Sequence, residues 1–331
     1  MSTQTATKND HWIDIDGPTH YRDYGGPEDG PLIVCIHGLG GSALNWDLVA
    51  PHLTQVCRVV ALDLPGHGLT EAGHRSTSVH ANQHVIHRFL TEVTGTPAVL
   101  MGNSMGGLLA VVQATSAPRT TSGVVLIAPA LPAAGVMVGD LRMILEFAVL
   151  ATPGIGALIV DLRTRLATAE QQVTRMLRVV TVDPTRLPRE AFDAAIAQAE
   201  VRRQFRGTAR HLVEAARSVV LMSQGKNYVK RLQSLATPVL LIHGGRDRIV
   251  SARSAQAAAS RRPEWTFHLM DNVGHVPQIE EPEATARIIL DWLAENPEAV
   301  ADAALGPVAA SGETEHHSDR EATQCQAIGV I

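Results

Sequence analysis

Ser104 stands in Gly102-Asn103-Ser104-Met105-Gly106, after the apolar run Ala98–Met101 and before the helical pattern Met105–Ser116. A strand, a G-x-S-x-G turn and a helix in that order force a sharp, strained backbone that lifts the serine hydroxyl clear of the sheet. Glycines at 102 and 106 fit a turn where neighbouring backbone passes close. The chemistry is nucleophilic attack by the Ser104 hydroxyl. The helix beginning near Met105 directs its N-terminal N–H groups at the oxyanion that such an attack creates. The competing reading, a glycine-rich turn with an inert serine, is disfavoured by the flanking elements.

A second loop, His37-Gly38-Leu39-Gly40-Gly41-Ser42, follows the apolar run Pro31–Ile36. A strand leading into H-G-x-G places the Leu39 backbone N–H as a second oxyanion donor beside that of Met105. His37 is expected to hydrogen-bond within its loop. No Lys follows these glycines, so a phosphate-binding loop is excluded.

A serine nucleophile needs a base, and the base needs an acid to orient it. The chain has 15 histidines. His74, His80, His84 and His87 have the spacing of solvated faces, and His316 and His317 fall in the polar end of the chain. His275 stands apart, after Asn272-Val273-Gly274 and the last expected strand. Asp247, in His243-Gly244-Gly245-Arg246-Asp247, likewise follows a strand. Each segment is a weak signal alone. Together, in the order Ser104, Asp247, His275 and each after a strand, they make a catalytic triad.

These residues must be carried on a scaffold. Continuous apolar runs at Pro31–Ile36, Val56–Leu62, Ala98–Met101, Val124–Ile127 and Val239–Ile242 read as strands buried on both faces. Trp12–Asp16 and His20–Tyr24 read as an antiparallel pair around Gly17-Pro18, and Trp265–Leu269 as a last strand. Helical patterns lie between them, at Ser78–Val93, Ala252–Ser260 and Pro282–Ala294. The alternation predicts an α/β fold with a mainly parallel sheet and helices on both faces. It breaks between residues 131 and 235, where four or five helices are expected as an inserted cap. The organisation expected is a flexible start (1–11), a core (12–130 and 236–299), the cap (131–235) and a disordered tail (300–331).

The 331 residues are 45 % hydrophobic and 18 % charged, with net charge −5. That excludes disorder as the main state and disfavours nucleic-acid binding, since Lys and Arg are not clustered. Three cysteines build no disulfide framework. Cys35 and Cys57 sit in strand-like runs and Cys325 in the tail, which fits a reducing compartment. The start, MSTQTATKND, has no apolar signal region. The run Met143–Val160 is broken by Glu146, Pro153, Gly154 and Gly156, so no stable membrane anchor is expected. A cytoplasmic protein is the expectation, with a homodimer as a possible assembly.

The motifs HGLGGS, DLPGHG (Asp63–Gly68), GNSMGG, GGRD and the Gly-His pair at 274–275 resemble the α/β-hydrolase superfamily, in its branch with a helical cap, from about residue 12 to 296. The resemblance implies an eight-stranded sheet and the roles already read for Ser104, Asp247, His275, Leu39 and Met105. It implies a structural turn at Asp63–Gly68, and no metal or organic cofactor. Serine at the elbow separates this chain from the epoxide hydrolases and haloalkane dehalogenases, which the family runs with Asp there. GNSMGG and Gln278 are similar to the carbon–carbon hydrolases of aromatic ring cleavage. Those typically carry an aromatic residue after the triad His, where this chain has Val276.

In the cap, Phe147–Ala151 and Ile155–Val160 are apolar, which points to a buried acyl or alicyclic small molecule. Phe147, Leu150, Ile159 and Val276 are the candidate substrate contacts. Arg163, Arg165, Arg175 and Arg178 read as a solvated helix face. The expected function is hydrolysis of a carboxylic ester of an apolar, medium-chain or alicyclic substrate through an acyl-enzyme. The rivals are carbon–carbon bond hydrolysis of a ring-cleavage product and a non-catalytic ligand-binding protein that keeps the pocket.

Overall fold

The computed structural model describes residues 9–134, 152 and 154–301. Eight strands form one sheet: β1 (Asp10–Asp14), β2 (Pro18–Gly25), β3 (Leu32–Ile36), β4 (Arg58–Leu62), β5 (Ala98–Asn103), β6 (Thr121–Ile127), β7 (Val239–Gly244) and β8 (Thr266–Met270). Their order is β1-β2-β4-β3-β5-β6-β7-β8. The pairs β1–β2 and β2–β4 are antiparallel and all others parallel. This is the mostly parallel eight-stranded sheet that the resemblance implies.

Alternation along each strand divides the core in two. Ile33, Cys35, Val99 and Met101 face one side, packed with Trp46 and Trp292. Val34, Ile36, Leu100 and Leu126 face the other, packed with Phe89 and Leu108. Helices α1 (Val79–Arg88) and α2 (Met105–Ser116) cover the second side. Burial on both faces explains why these strands read as unbroken apolar runs.

Between β6 and β7 the described residues form five helices: α3 (Ile155–Leu166), α4 (Ala169–Val180), α5 (Arg189–Arg202), α6 (Thr208–Ser223) and α7 (Lys226–Ser234). Thr168 and Gln171 close a reciprocal capping box at the start of α4. Met176 of α4 and Leu212 of α6 lie over Gly40, so these helices stand above the loop leaving β3. After β7 come α8 (Ala252–Arg261), β8 and α9 (Pro282–Glu295), whose Ile289 and Trp292 complete the first core. No helix among the described residues is long and apolar enough to cross a membrane.

Edges differ from the sequence pattern for local reasons. β1 begins at Asp10, since Asp10 and His11 pair with Arg22 and Tyr21 and the Asp10 carboxylate accepts from Arg22 Nε at 2.9 Å. These residues belong to the sheet rather than to a flexible start. β4 begins only at Arg58, because the N–H groups of Val56 and Cys57 turn back to Leu53 O. The helix expected to Val93 ends as α1 at Arg88 and widens into a π turn, Phe89–Thr94, closed by left-handed Gly95. Past Pro297 the chain makes one more helical turn, Glu298–Ala301, with Ala299 buried against Gly123 of β6.

Candidate active site

Because β3, β5, β6, β7 and β8 run parallel, the loops leaving them gather at one edge of the sheet. Ser104 leaves β5 with φ 55° and ψ −113°. A non-glycine residue there carries roughly 1–3 kcal/mol of strain and needs its surroundings to hold it. Three bonds do so: Ser104 N–H to Ile127 O at 3.0 Å, Ala130 N–H to Ser104 O at 3.0 Å and Leu108 N–H to Ser104 O at 3.2 Å. The glycines of the turn have no room for a side chain. A Cβ on Gly106 would lie 1.9 Å from Ile36 O, and one on Gly102 2.3 Å from the Gly106 carbonyl carbon. The loop leaving β3 lies against Ser104, since a Cβ on Gly38 would be 3.2 Å from Ser104 Cβ. Leu39 follows Gly38 and Met105 opens α2, so both N–H groups belong to segments flanking Ser104.

His275 Nδ1 lies 2.7 Å from Asp247 Oδ2, and both side chains are buried. The acid is fixed in turn: Asp247 Oδ1 accepts from Ile249 N–H at 2.7 Å and Val250 N–H at 3.0 Å. Burial alone would raise the Asp247 carboxyl. The charge and hydrogen bond of His275, then His243 and the Ile249 N–H, outweigh it and hold the group below the usual carboxylate range. With Asp247 ionised, Nδ1 carries the proton and Nε2 is free to accept one.

Asn103 joins the Ser104 turn to the His275 loop. Its Nδ2 donates to Ile127 O at 3.1 Å and to His275 O at 3.0 Å. The sequence alone assigns no role to Asn103, although its place beside Ser104 is a signal. Val276 is buried, and its carbonyl accepts from the N–H groups of Ile279 and Glu280. Ile159 is half-buried on α3, while Phe147 and Leu150 lie outside the described residues. Arg163, Arg165, Arg175 and Arg178 are exposed.

His37 is fully buried; its Nδ1 pairs with Gly38 O at 2.8 Å and its Nε2 accepts from Leu64 N–H at 3.1 Å. It therefore holds its own loop and ties it to the Asp63–Gly68 turn. Asp63 anchors that turn, taking Ala43 N–H at 2.7 Å, Leu69 N–H at 2.8 Å and His20 Nδ1 at 2.7 Å. Arg202, at the end of α5, donates to Gly40 O at 3.0 Å and Gly66 O at 3.3 Å, binding an inserted helix to both loops.

These buried groups make stability depend on pH. Burial lowers His37, His67 and His243; Asp63 opposes it at His37 and Asp247 at His243, while Arg202 adds to it at His37 and, with His37 and His211, at His67. The unfolded chain binds those protons near the ordinary histidine value, about 6.5, while the folded chain refuses them until lower pH. Stability is therefore lost as pH falls below that value. Asp63 is lowered too, because His20, His37 and the Leu69 N–H outweigh burial. Asp63 and Asp247 remove a second share as pH falls below the unfolded carboxylate value toward their own. Glu280, raised by burial, works the other way within the carboxylate range. Urea unfolding midpoints should thus fall between pH 7.5 and 5.5, before carboxylates titrate. A flat midpoint across that interval would refute the histidine contribution.

The alpha/beta hydrolase family model matches residues 33–288. A magnesium-chelatase 30 kDa subunit of Rhodobacter capsulatus is 28 % identical, over 81 % of this chain and 88 % of that protein. A 2-hydroxy-6-oxononadienedioate/2-hydroxy-6-oxononatrienedioate hydrolase of Pseudomonas putida is 27 % identical, over 85 % and 93 %. Among solved structures, a membrane phospholipase A superposes with TM-score 0.64 at 26 % identity, covering 86 % of each chain.

Proposed function

We infer the reaction from one premise: this chain belongs to the alpha/beta hydrolase family and is an enzyme of that fold. We read it as a serine hydrolase that cleaves a carboxylic ester of an apolar substrate. The observation that carries this is the 2.7 Å contact of His275 Nδ1 with ionised Asp247, on a loop that Asn103 ties to the strand bearing Ser104.

In this reading Ser104 Oγ attacks the acyl carbon while His275 Nε2 takes its proton. The tetrahedral oxyanion meets the Leu39 and Met105 N–H groups, each worth about 3 kcal/mol in the transition state. His275 returns the proton to the leaving alcohol and then activates the water that frees the acid. Asp247 keeps the imidazole in the required tautomer. The phospholipase likeness supports an ester bond as the target. A second reading, carbon–carbon bond cleavage in a vinylogous diketone acid, has the support of the Pseudomonas putida relative. For the compartment we propose the cytoplasm, on the two free, buried thiols Cys35 and Cys57.

Two experiments decide. A fluorophosphonate should label Ser104 and abolish turnover of p-nitrophenyl esters; a chain that hydrolyses a ring-cleavage diketone and leaves these esters untouched would favour the second reading. A chain-length series then reports the acyl site. Each buried methylene adds about 0.8 kcal/mol, roughly fourfold in kcat/KM. The optimum should lie at medium chains, and Ile159→Asn should flatten the series more than it lowers acetate turnover. An optimum at acetate would overturn the apolar acyl site.

A further inference from the structure

The loop carrying His275 is fastened to the inserted helices at the end of α4. His275 N–H donates to Val180 O at 2.8 Å. One residue earlier, Gly274 N–H donates to Glu280 Oε1 at 2.7 Å, and Val182 N–H donates to Glu280 Oε2 at 2.7 Å. One carboxylate thus joins the backbone beside the base to the backbone of the cap 92 residues earlier, where Asp183 adds to the Val182 donor. Glu280 is only 6 % exposed. The fit is close: a Cβ on Gly274 would meet Val180 O at 2.7 Å and Glu280 Oε1 at 2.9 Å.

The geometry points to Glu280 as a positioning residue that clamps the cap segment 180–182 to Gly274 and thereby sets the place of the His275 imidazole. The inference rests on His275 acting as the base in the proposed hydrolysis. The reasoning is mechanical. The imidazole has one fixed partner at Nδ1, and Asp247 sits on a separate loop. Its backbone is held by Asn103 from the β5 side and by Val180 with Glu280 from the cap side. Removing the cap side leaves the loop free to shift along the direction that controls the distance from Nε2 to Ser104. The clamp acts on the backbone that carries the base, so the loss should fall on kcat.

Three variants test this on the full chain, with p-nitrophenyl butyrate as substrate and fluorophosphonate labelling of Ser104 as a second readout. Glu280→Gln keeps the volume but turns one acceptor into an amide N–H2 facing an N–H. Its kcat should fall at least tenfold with KM within twofold, its labelling should slow in parallel, and the rising limb of its pH–rate profile should shift. Val182→Pro removes one cap-side donor and leaves that of Asp183, and Thr181 before it is already extended, as a proline requires. It should reproduce part of the loss, and the double variant should be no worse than Glu280→Gln alone. Arg186→Ala cuts the exposed cap-to-core pair with Glu281 at 2.8 Å and should leave kcat unchanged. If Glu280→Gln does not fold, Val182→Pro decides by itself. Wild-type kcat and pH profile in either folded variant would overturn the clamp. An unlabelled wild type without ester turnover would instead overturn the hydrolase reading.

Discussion

Ser104→Ala should fold normally and lose on the order of 10³-fold or more of its ester turnover. Folding is expected to survive because the elbow is held through backbone atoms, by Ile127 O, Ala130 N–H and Leu108 N–H, none of which the substitution removes. Alanine occupies the same positive-φ site with a similar Cβ, so the strain is carried over rather than changed. His275→Ala should lose about as much, since the serine without its base is a poor nucleophile. The double variant should then be little worse than either single one, as with groups that act as a unit. The measurement is kcat/KM for all three proteins with thermal melts alongside. Multiplying losses would mean that Ser104 and His275 do not share a step.

The second large effect is at Asp247. Asp247→Asn keeps an oxygen for the Ile249 and Val250 N–H groups but presents an N–H2 to His275 Nδ1. The imidazole then has to accept at Nδ1, which places its proton on Nε2 and blocks uptake of the serine proton. A loss of about 10³–10⁴-fold at neutral pH is expected; the melt should fall as well, since the share of stability carried by the Asp247 charge is removed. Pre-steady-state acylation by p-nitrophenyl butyrate measures it directly. A rate within tenfold of wild type would show that another carboxylate orients the base.

What could be read in advance follows from where the information sits. The strands β3, β5, β6 and β7 are buried on both faces, so each announces itself as an apolar run. The half-exposed edges β1 and β8 do not, and their ends fall one or two residues from the pattern. Ser104, Asp247 and His275 stand out as candidates because each follows a strand at short range and their chain order is informative. The residues that hold them do not. Asn103 reaches His275 across 172 positions, Glu280 reaches Val182 across 98 and His20 reaches Asp63 across 43. A hydrogen bond between such distant side chains and backbone leaves no periodicity in one sequence. His243 shows the same limit. It stands directly before the GGRD segment, yet its 3.4 Å approach to Asp247 and its bond to Val250 O emerge only from the fold.

The place of the inserted helices in the chain also governs how the protein emerges from the ribosome. Strand β6 is apolar and fully buried in the finished sheet, where β7 covers its outer edge. More than a hundred residues separate Ile127 from Val239. At typical synthesis speeds β6 therefore waits roughly 5–20 s as an open edge, with unpaired N–H and C=O groups and a Val-Val-Leu-Ile run. Such an edge is a template for pairing with other nascent chains. The same interruption that places helices over the Ser104 turn thus leaves the half-synthesised chain prone to aggregation, and the helices made in the interval are the first material able to shield it.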